Sequence, residues 1–183
     1  PHMHICLQSG SEEILMKMRR MYTAKLFKEM ASKLEELHPG FSLTTDIIVG
    51  FPGETEEQFQ ETVDLANTIG FGHIHTFKYS VRKGTRAERL PEQIDENEKN
   101  LRGEIIRKLS ENTRSKYRNS FIGKQQKVLV QIIIENGFAR GYGEHYIPVI
   151  IEKTGLTKNT FYNVDINGII EKDEPILVGT LSN

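Results

Sequence analysis

The chain of 183 residues has a single cysteine, Cys6. That excludes an intrachain disulfide framework and any metal or cluster site built from several cysteines of this chain. An excess of either charge is also missing: 24 Lys and Arg stand against 25 Asp and Glu, a formal net charge of -1. A protein that grips nucleic acid with its whole surface is excluded by this balance, so any basic footprint has to be local. There is no run of eighteen apolar residues and no charged-then-apolar leader, so neither a membrane span nor a signal peptide is expected. With one thiol, a reducing, cytoplasmic location is the default expectation. The opening "PHMHICLQSG" enters a strand with no preceding element, as a piece cut from a longer chain would.

What is present is a chain of alternating periods. "HICLQ" (4–8) reads as a short buried strand, and "SGS" turns it, with Ser11 placed to cap a helix. Thr23 caps a second helix in which Leu26, Phe27, Met30, Ala31, Leu34 and Leu37 make one apolar stripe ended by Pro39 and Gly40. "IIVG" is the next strand, hydrophobic throughout as in a parallel sheet covered on both faces. Thr55 and Gln58 fit a capping box; Phe59, Val63, Ala66 and Ile69 share a face, and Gly70 sits at the C-terminal cap. "HIHTFKYS" makes a third strand. Strand–helix–strand–helix–strand with these connections predicts right-handed parallel crossovers. Pro91 opens a polar helical stretch paced by Leu101, Ile105, Ile106, Leu109 and Tyr117. From Phe121 the period changes to β-branched runs, "KVLVQIII", "HYIPVII", "FYNVDI" and "PILVGTL", parted by turn signals, which predicts about five strands in a small barrel. The expected division is an α/β domain over 1–90, a helical linker over 91–120 and an all-β barrel over 121–183.

In a parallel α/β sheet, ligands sit at the carboxyl ends of the strands. Three glycine-containing polar loops fall there: "LQSGS" with Gln8 and Ser9, "GFPGET" with Gly50 and Glu54, and "YSVRKGT" with Tyr79 and Arg82. Together they describe a polar small-molecule site. Plainer readings stand beside it. Gly50, Pro52 and Gly53 would serve as a turn, Glu54 would complement a helix N-terminus, and Ser9 and Ser11 would serve as caps. His4, His73 and His75 alternate with apolar residues and read as core or loop histidines more readily than as a metal set, and Cys6 between Ile5 and Leu7 reads as a buried structural thiol. Asp46, an acid entering a buried strand, needs a partner or a task.

Taken in order, "PHMHICLQSGS", "LMKMRRMYT", "LTTDIIVGFPGETEEQF", "FKYSVRKGTRAERLPEQI" and a terminal short β-barrel resemble the C-terminal half of the radical S-adenosylmethionine (SAM) methylthiotransferases, over the whole chain. The fold this resemblance implies is half of a TIM-like radical SAM barrel followed by a small OB-like TRAM domain. The activity implied is that of an enzyme with a [4Fe-4S] cluster that cleaves SAM, generates a 5′-deoxyadenosyl radical and installs a methylthio group on a substrate carbon. Gln8 and Ser9 would line the ribose side, Asp46, Gly50 and Glu54 the wall near the sugar and adenine, and the backbone from Tyr79 through Arg82 to Thr85 the adenine. Arg20 of "MKMRRMYT" would pair with the SAM carboxylate through a bidentate fork, where a helical-surface ion pair is the plainer reading. Arg82 is closer to the tRNA-modifying branch than to the ribosomal-protein branch. "HIHTF" and "PHMHICLQSGS" look most like the threonylcarbamoyladenosine tRNA members, so the implied substrate is a modified adenosine beside the anticodon. The family's CxxxCxxC motif and N-terminal domain are absent here, which implies that the chain alone holds no cluster and is inactive. Cys6 stands where many relatives have proline.

The local basic footprint lies in the helical stretch. Lys99, Arg102, Arg107, Lys108, Arg114, Lys116 and Arg118 are seven basic residues against two acids, Glu104 and Glu111, a stripe able to neutralise tRNA phosphates; a solvated linker helix is the alternative. The barrel has six Lys and Arg against seven Asp and Glu. It would therefore meet RNA by shape and aromatic contacts at Phe138, Tyr142 and Tyr146, residues that read equally well as core. A non-catalytic RNA-binding module is the competing class, and three polar loops at one sheet end argue against it. A half-barrel would also leave the edge at His4–Gln8 unpaired and the inner face of "IIVG" open, so an edge-to-edge homodimer is expected.

Overall fold

The computed structural model describes residues 1–134, 137–153, 155–170 and 174–182. They form two compact units, one of Met3–Arg114 and one of Pro1–His2 with Ser115–Asn183.

In the first unit, β1 (His2–His4), β2 (Ser42–Val49) and β3 (His73–Lys78) form a three-stranded sheet in that order. Strands β2 and β3 are parallel, with Asp46 opposite His75 and Thr44 opposite His73. The helices α1 (Glu12–Lys17), α2 (Ala24–Leu37) and α3 (Glu56–Ile69) alternate with the strands. Local chemistry sets their ends. The Thr23 hydroxyl accepts from Leu26 N, Thr55 and Gln58 close the capping box, and Gly70 ends α3 in the left-handed conformation, each satisfying a terminal backbone group the helix cannot pair itself. Ser11 stands at the N-cap of α1, but its side chain makes no capping bond.

Three expectations are corrected here. The first strand is His2–His4 and not 4–8: residues beyond His4 follow β2 through isolated bonds, Ile5 N to Thr44 O and Gln8 N to Asp46 O, and Gln8, with a φ of 68°, ends the extended run. The apolar stripe of α2 is narrower than its spacing suggests, since Phe27 is buried but Leu26 and Leu37 are exposed. And β2 is not sealed on both faces. Leu43, Thr45, Ile47 and Val49 are buried, whereas Thr44, Asp46 and Ile48 alternate with them as half-buried residues. This face of the strand is thus mixed, with Thr44 and Asp46 beside Ile48.

Helix α4 (Glu96–Asn119) is more than a connector in this unit. Ile106 is fully buried in the same core as Leu7, Phe27, Ile47, Phe59 and Phe71, with Leu109 packed beside it, and the Ser110 hydroxyl accepts from Ile74 N at 2.9 Å.

The second unit is a closed five-stranded barrel of β4 (Gln125–Ile134), β5 (Phe138–Tyr142), β6 (Pro148–Glu152), β7 (Phe161–Ile170) and β8 (Ile176–Leu181), in the order β4-β5-β6-β8-β7. Its core is Phe121, Val128, Val130, Ala139, Val149, Ile151, Val164, Ile166 and Leu177. The expected number of strands is present, although no β-branched run marks β5, "FARGY". Gly141 sits there because a Cβ would lie 2.1 Å from the Leu129 carbonyl oxygen of the paired strand, so the barrel wall needs glycine at that position. Among the described residues no helix is long and apolar enough to cross a membrane.

Candidate functional site

The loops after the three strands of the first unit surround a concavity of about 560 Å³, lined among others by Gln8, Arg20, Asp46, Ile48, Phe51, Tyr79 and Arg82. That volume is of the size that takes a small molecule or cofactor. Of the eight expected cofactor residues, Gln8, Arg20, Asp46, Tyr79 and Arg82 are on its wall, and Ser9, Gly50 and Glu54 are not. Six basic side chains, Lys17, Arg19, Arg20, Lys78, Arg82 and Arg86, line it against one acid, Asp46, a setting that favours an anionic or zwitterionic ligand.

The wall is organised by hydrogen bonds. Arg20 Nη2 donates to Gln8 Oε1 at 2.9 Å, which fixes the carboxamide of a residue already set in a left-handed backbone conformation. The Tyr22 hydroxyl lies 2.8 and 2.9 Å from the carbonyl oxygens of Cys6 and Leu7, and burial pushes its pKa up. Tyr79 is placed by Phe51, edge to face at 5.3 Å, and by Lys99, 5.7 Å from its ring centre. Its hydroxyl is buried and has no hydrogen-bond partner among the described residues. Such a group costs free energy unless a ligand or water satisfies it.

Ser9 and Glu54 have structural work instead. Ser9 is fully buried, with Oγ 3.2 Å from Thr62 Oγ1. Glu54 latches the Gly-Pro-Gly turn from within: Oε2 accepts from Gly50 N at 2.7 Å and from Arg102 Nη1 at 2.9 Å. Burial outweighs these bonds and raises the Glu54 pKa. Gly50 has a φ of 71°, and a Cβ there would stand 2.4 Å from Lys99 Cγ. The turn therefore closes over α4 and offers Phe51, not its acid, to the concavity.

Three further residues sit differently from their sequence reading. Cys6 is half-buried, and its thiol donates to Asp46 Oδ2 at 3.1 Å; burial first, and then this bond, push its pKa up. His4 and His75 are exposed strand residues, neither core nor loop, and both stand beside Asp46. The partner that Asp46 requires comes from the neighbouring strands, a pairing that no local spacing reveals.

The basic stripe of α4 divides. Arg102 is buried, with ion pairs to Glu54, Glu98 and Glu56, Lys99 is buried and pairs with Glu96 at 2.9 Å, and Arg118 is buried and pairs with Glu174 at 3.1 Å. Desolvated, paired guanidinium groups are not presented to phosphates, so Arg102 and Arg118 are placed for structure. Arg107, Lys108 and Lys116 are exposed, and Arg114 is half-buried. In the barrel, Tyr142 and Tyr146 stack at 4.9 Å, Tyr146 is 64% exposed and Phe138 is half-buried.

The radical SAM superfamily model matches residues 1–66. The chain is 37% identical over 172 residues to the threonylcarbamoyladenosine tRNA methylthiotransferase MtaB of Thermotoga maritima, covering 94% of this chain and 39% of that protein. It is 38% identical over 161 residues to the protein of the same name from Bacillus subtilis, covering 84% of this chain and 35% of that one. With the tRNA-2-methylthio-N(6)-dimethylallyladenosine synthase of Magnetococcus marinus it shares 44% identity over 132 residues, 72% of this chain and 30% of that enzyme. The chain thus spans well under half the length of these curated relatives. These matches support a stretch of a radical SAM methylthiotransferase, most similar to the threonylcarbamoyladenosine tRNA members of that family.

Proposed function

We propose that this stretch forms the SAM-facing part of a tRNA methylthiotransferase whose substrate is N6-threonylcarbamoyladenosine next to the anticodon. The observation that carries the reading is the cationic concavity with a buried, unpartnered Tyr79 hydroxyl on its wall. A zwitterionic ligand with a sugar and an aromatic base suits that wall. Arg20 holds Gln8 with one nitrogen and keeps guanidinium donors for a carboxylate. Asp46 accepts from hydroxyl groups, Tyr79 offers its unpaired hydroxyl, and Ile48 and Phe51 keep water from that side. In this family bound SAM supplies the hydrogen abstraction that opens the substrate carbon to sulfur. A [4Fe-4S] cluster takes several cysteine thiolates, and this chain has one cysteine; its residues do not fit the cluster.

Two measurements test the reading. Equilibrium dialysis with S-adenosylhomocysteine should show weak, saturable binding that drops roughly three- to tenfold in Arg20→Ala and Tyr79→Phe, the range for one lost hydrogen bond. Deleting the gene in its own cell should remove the 2-methylthio form of threonylcarbamoyladenosine from tRNA hydrolysates analysed by mass spectrometry. Loss of the dimethylallyladenosine derivative in its place, or no loss, would overturn the assignment.

A further inference from the structure

We infer that His4, Asp46 and His75 form a binding site for a divalent transition-metal ion of the Zn²⁺ class, on the face of the β1-β2-β3 sheet that carries Asp46. The topology gathers the set. Each of the three strands gives one ligand to the same face, with Asp46 and His75 directly opposite each other in the parallel register. One ligand atom from each residue lies within 4.8 Å of the others. The His4 Nε2 to Asp46 Oδ1 distance is 3.4 Å. Bonds of about 2.0–2.1 Å at the tetrahedral angle put neighbouring donor atoms about 3.3–3.4 Å apart, so these two already have the separation that a shared ion imposes. His75 is exposed, its ring edge-on to those of His73 at 4.4 Å and His4 at 5.7 Å, and a side-chain rotation would close the remaining distance.

A second, independent observation is the support behind the ligands. His4 Nδ1 lies 3.0 Å from Thr44 Oγ1; in the tautomer protonated at Nδ1, the Nε2 lone pair faces Asp46. The Cys6 thiol holds the other carboxylate oxygen, Oδ2, at 3.1 Å, leaving Oδ1 toward His4. Metal sites use such partners to fix the tautomer and orientation of each ligand. Two imidazoles and one carboxylate, with solvent for the open position, match the donor set of Zn²⁺ and not the all-oxygen set of Mg²⁺ or Ca²⁺. Asp46 also lines the concavity, so the ion would sit at its edge.

The test needs no catalytic activity, and its result does not depend on SAM binding. The intact chain, stripped with a chelator, is titrated with Co²⁺ and then Zn²⁺. The expected result is stoichiometric binding with the intense visible absorption of tetrahedral Co²⁺, bleached by Zn²⁺, and a rise in melting temperature with Zn²⁺. Asp46→Asn and His75→Ala should each weaken binding at least tenfold and abolish the absorption and the thermal shift. His38→Ala, outside the set, should change neither, and far-ultraviolet circular dichroism should report the same fold throughout. The proposal is overturned if no tetrahedral spectrum appears near stoichiometric Co²⁺, or if affinity in Asp46→Asn and His75→Ala equals that of the parent chain.

Discussion

Arg102 Nη1 lies 2.9 Å from Glu54 Oε2, with the two side chains 6% and 1% exposed. The pair is separated by 48 residues and joins the turn after β2 to helix α4. The same arginine reaches the Glu54 carbonyl oxygen at 3.0 Å and covers the Phe59 ring at 5.2 Å, so it acts as a hub of the first unit.

Breaking this pair from one side is therefore expected to be costly. Glu54→Ala leaves Gly50 N and Arg102 without their acceptor and should destabilise the first unit by about 3–5 kcal/mol. Glu54→Gln keeps an acceptor oxygen, and because burial already disfavours the charged carboxyl, its cost should be clearly smaller. Urea denaturation of both variants checks this; equal losses, or a loss below about 1 kcal/mol for the alanine variant, would contradict the latch.

The division of the α4 stripe gives a second expectation. Reversing charge at the exposed Arg107, Lys108 and Lys116 should weaken tRNA binding and lower the slope of log K against log salt by roughly 0.7–0.9 for each phosphate that is no longer neutralised. Filter binding across a salt series reads both quantities. Unchanged affinity and slope would leave α4 as a structural helix only.

Cluster chemistry is a third point. With Cys6 as the one thiol, anaerobic reconstitution with iron and sulfide should give no stoichiometric broad visible absorption, and the chain alone should not methylthiolate tRNA. A stable chromophore co-eluting with monomeric protein would refute this.

The barrel should respond to acid through His145. Its ring packs on Phe121 at 4.7 Å, Nδ1 lies 3.1 Å from Gln126 Oε1, and burial, with positive charge nearby, lowers its pKa from 6.5 to about 4. A histidine depressed in the folded state contributes stability that is complete above the unfolded value and is lost as pH falls from about 6.5 through about 4. Melting of the intact chain across that window, compared with His145→Gln, should show a slope that the variant lacks. An NMR titration midpoint of the His145 ring near 6.5 would sink the idea.

Short-range chemistry was legible because its partners lie within one helical turn. Thr23, the Thr55–Gln58 box and Gly70 end their helices as their spacing indicates, and the change of period at Phe121 marks a barrel that does close. The three polar loops do border a common concavity, since parallel crossovers carry every strand end to the same side. Spacing could not say which polar side chains turn inward. Glu54 reads as a ligand-facing acid until Arg102 is brought to it, and Arg102 and Arg118 read as surface charge until Glu54 and Glu174 cover them. "FARGY" has no strand signature of its own and becomes β5 because two neighbouring strands pair with it. The meeting of His4, Asp46 and His75 follows from the strand order and, for Asp46 and His75, from their register. By itself the sequence determined the caps of α2 and α3 and the change to a barrel at Phe121, where neighbouring residues satisfy each other's backbone groups. The tertiary structure decided which charges are buried and which ligands converge, because burial and long-range pairing are properties of the packed chain.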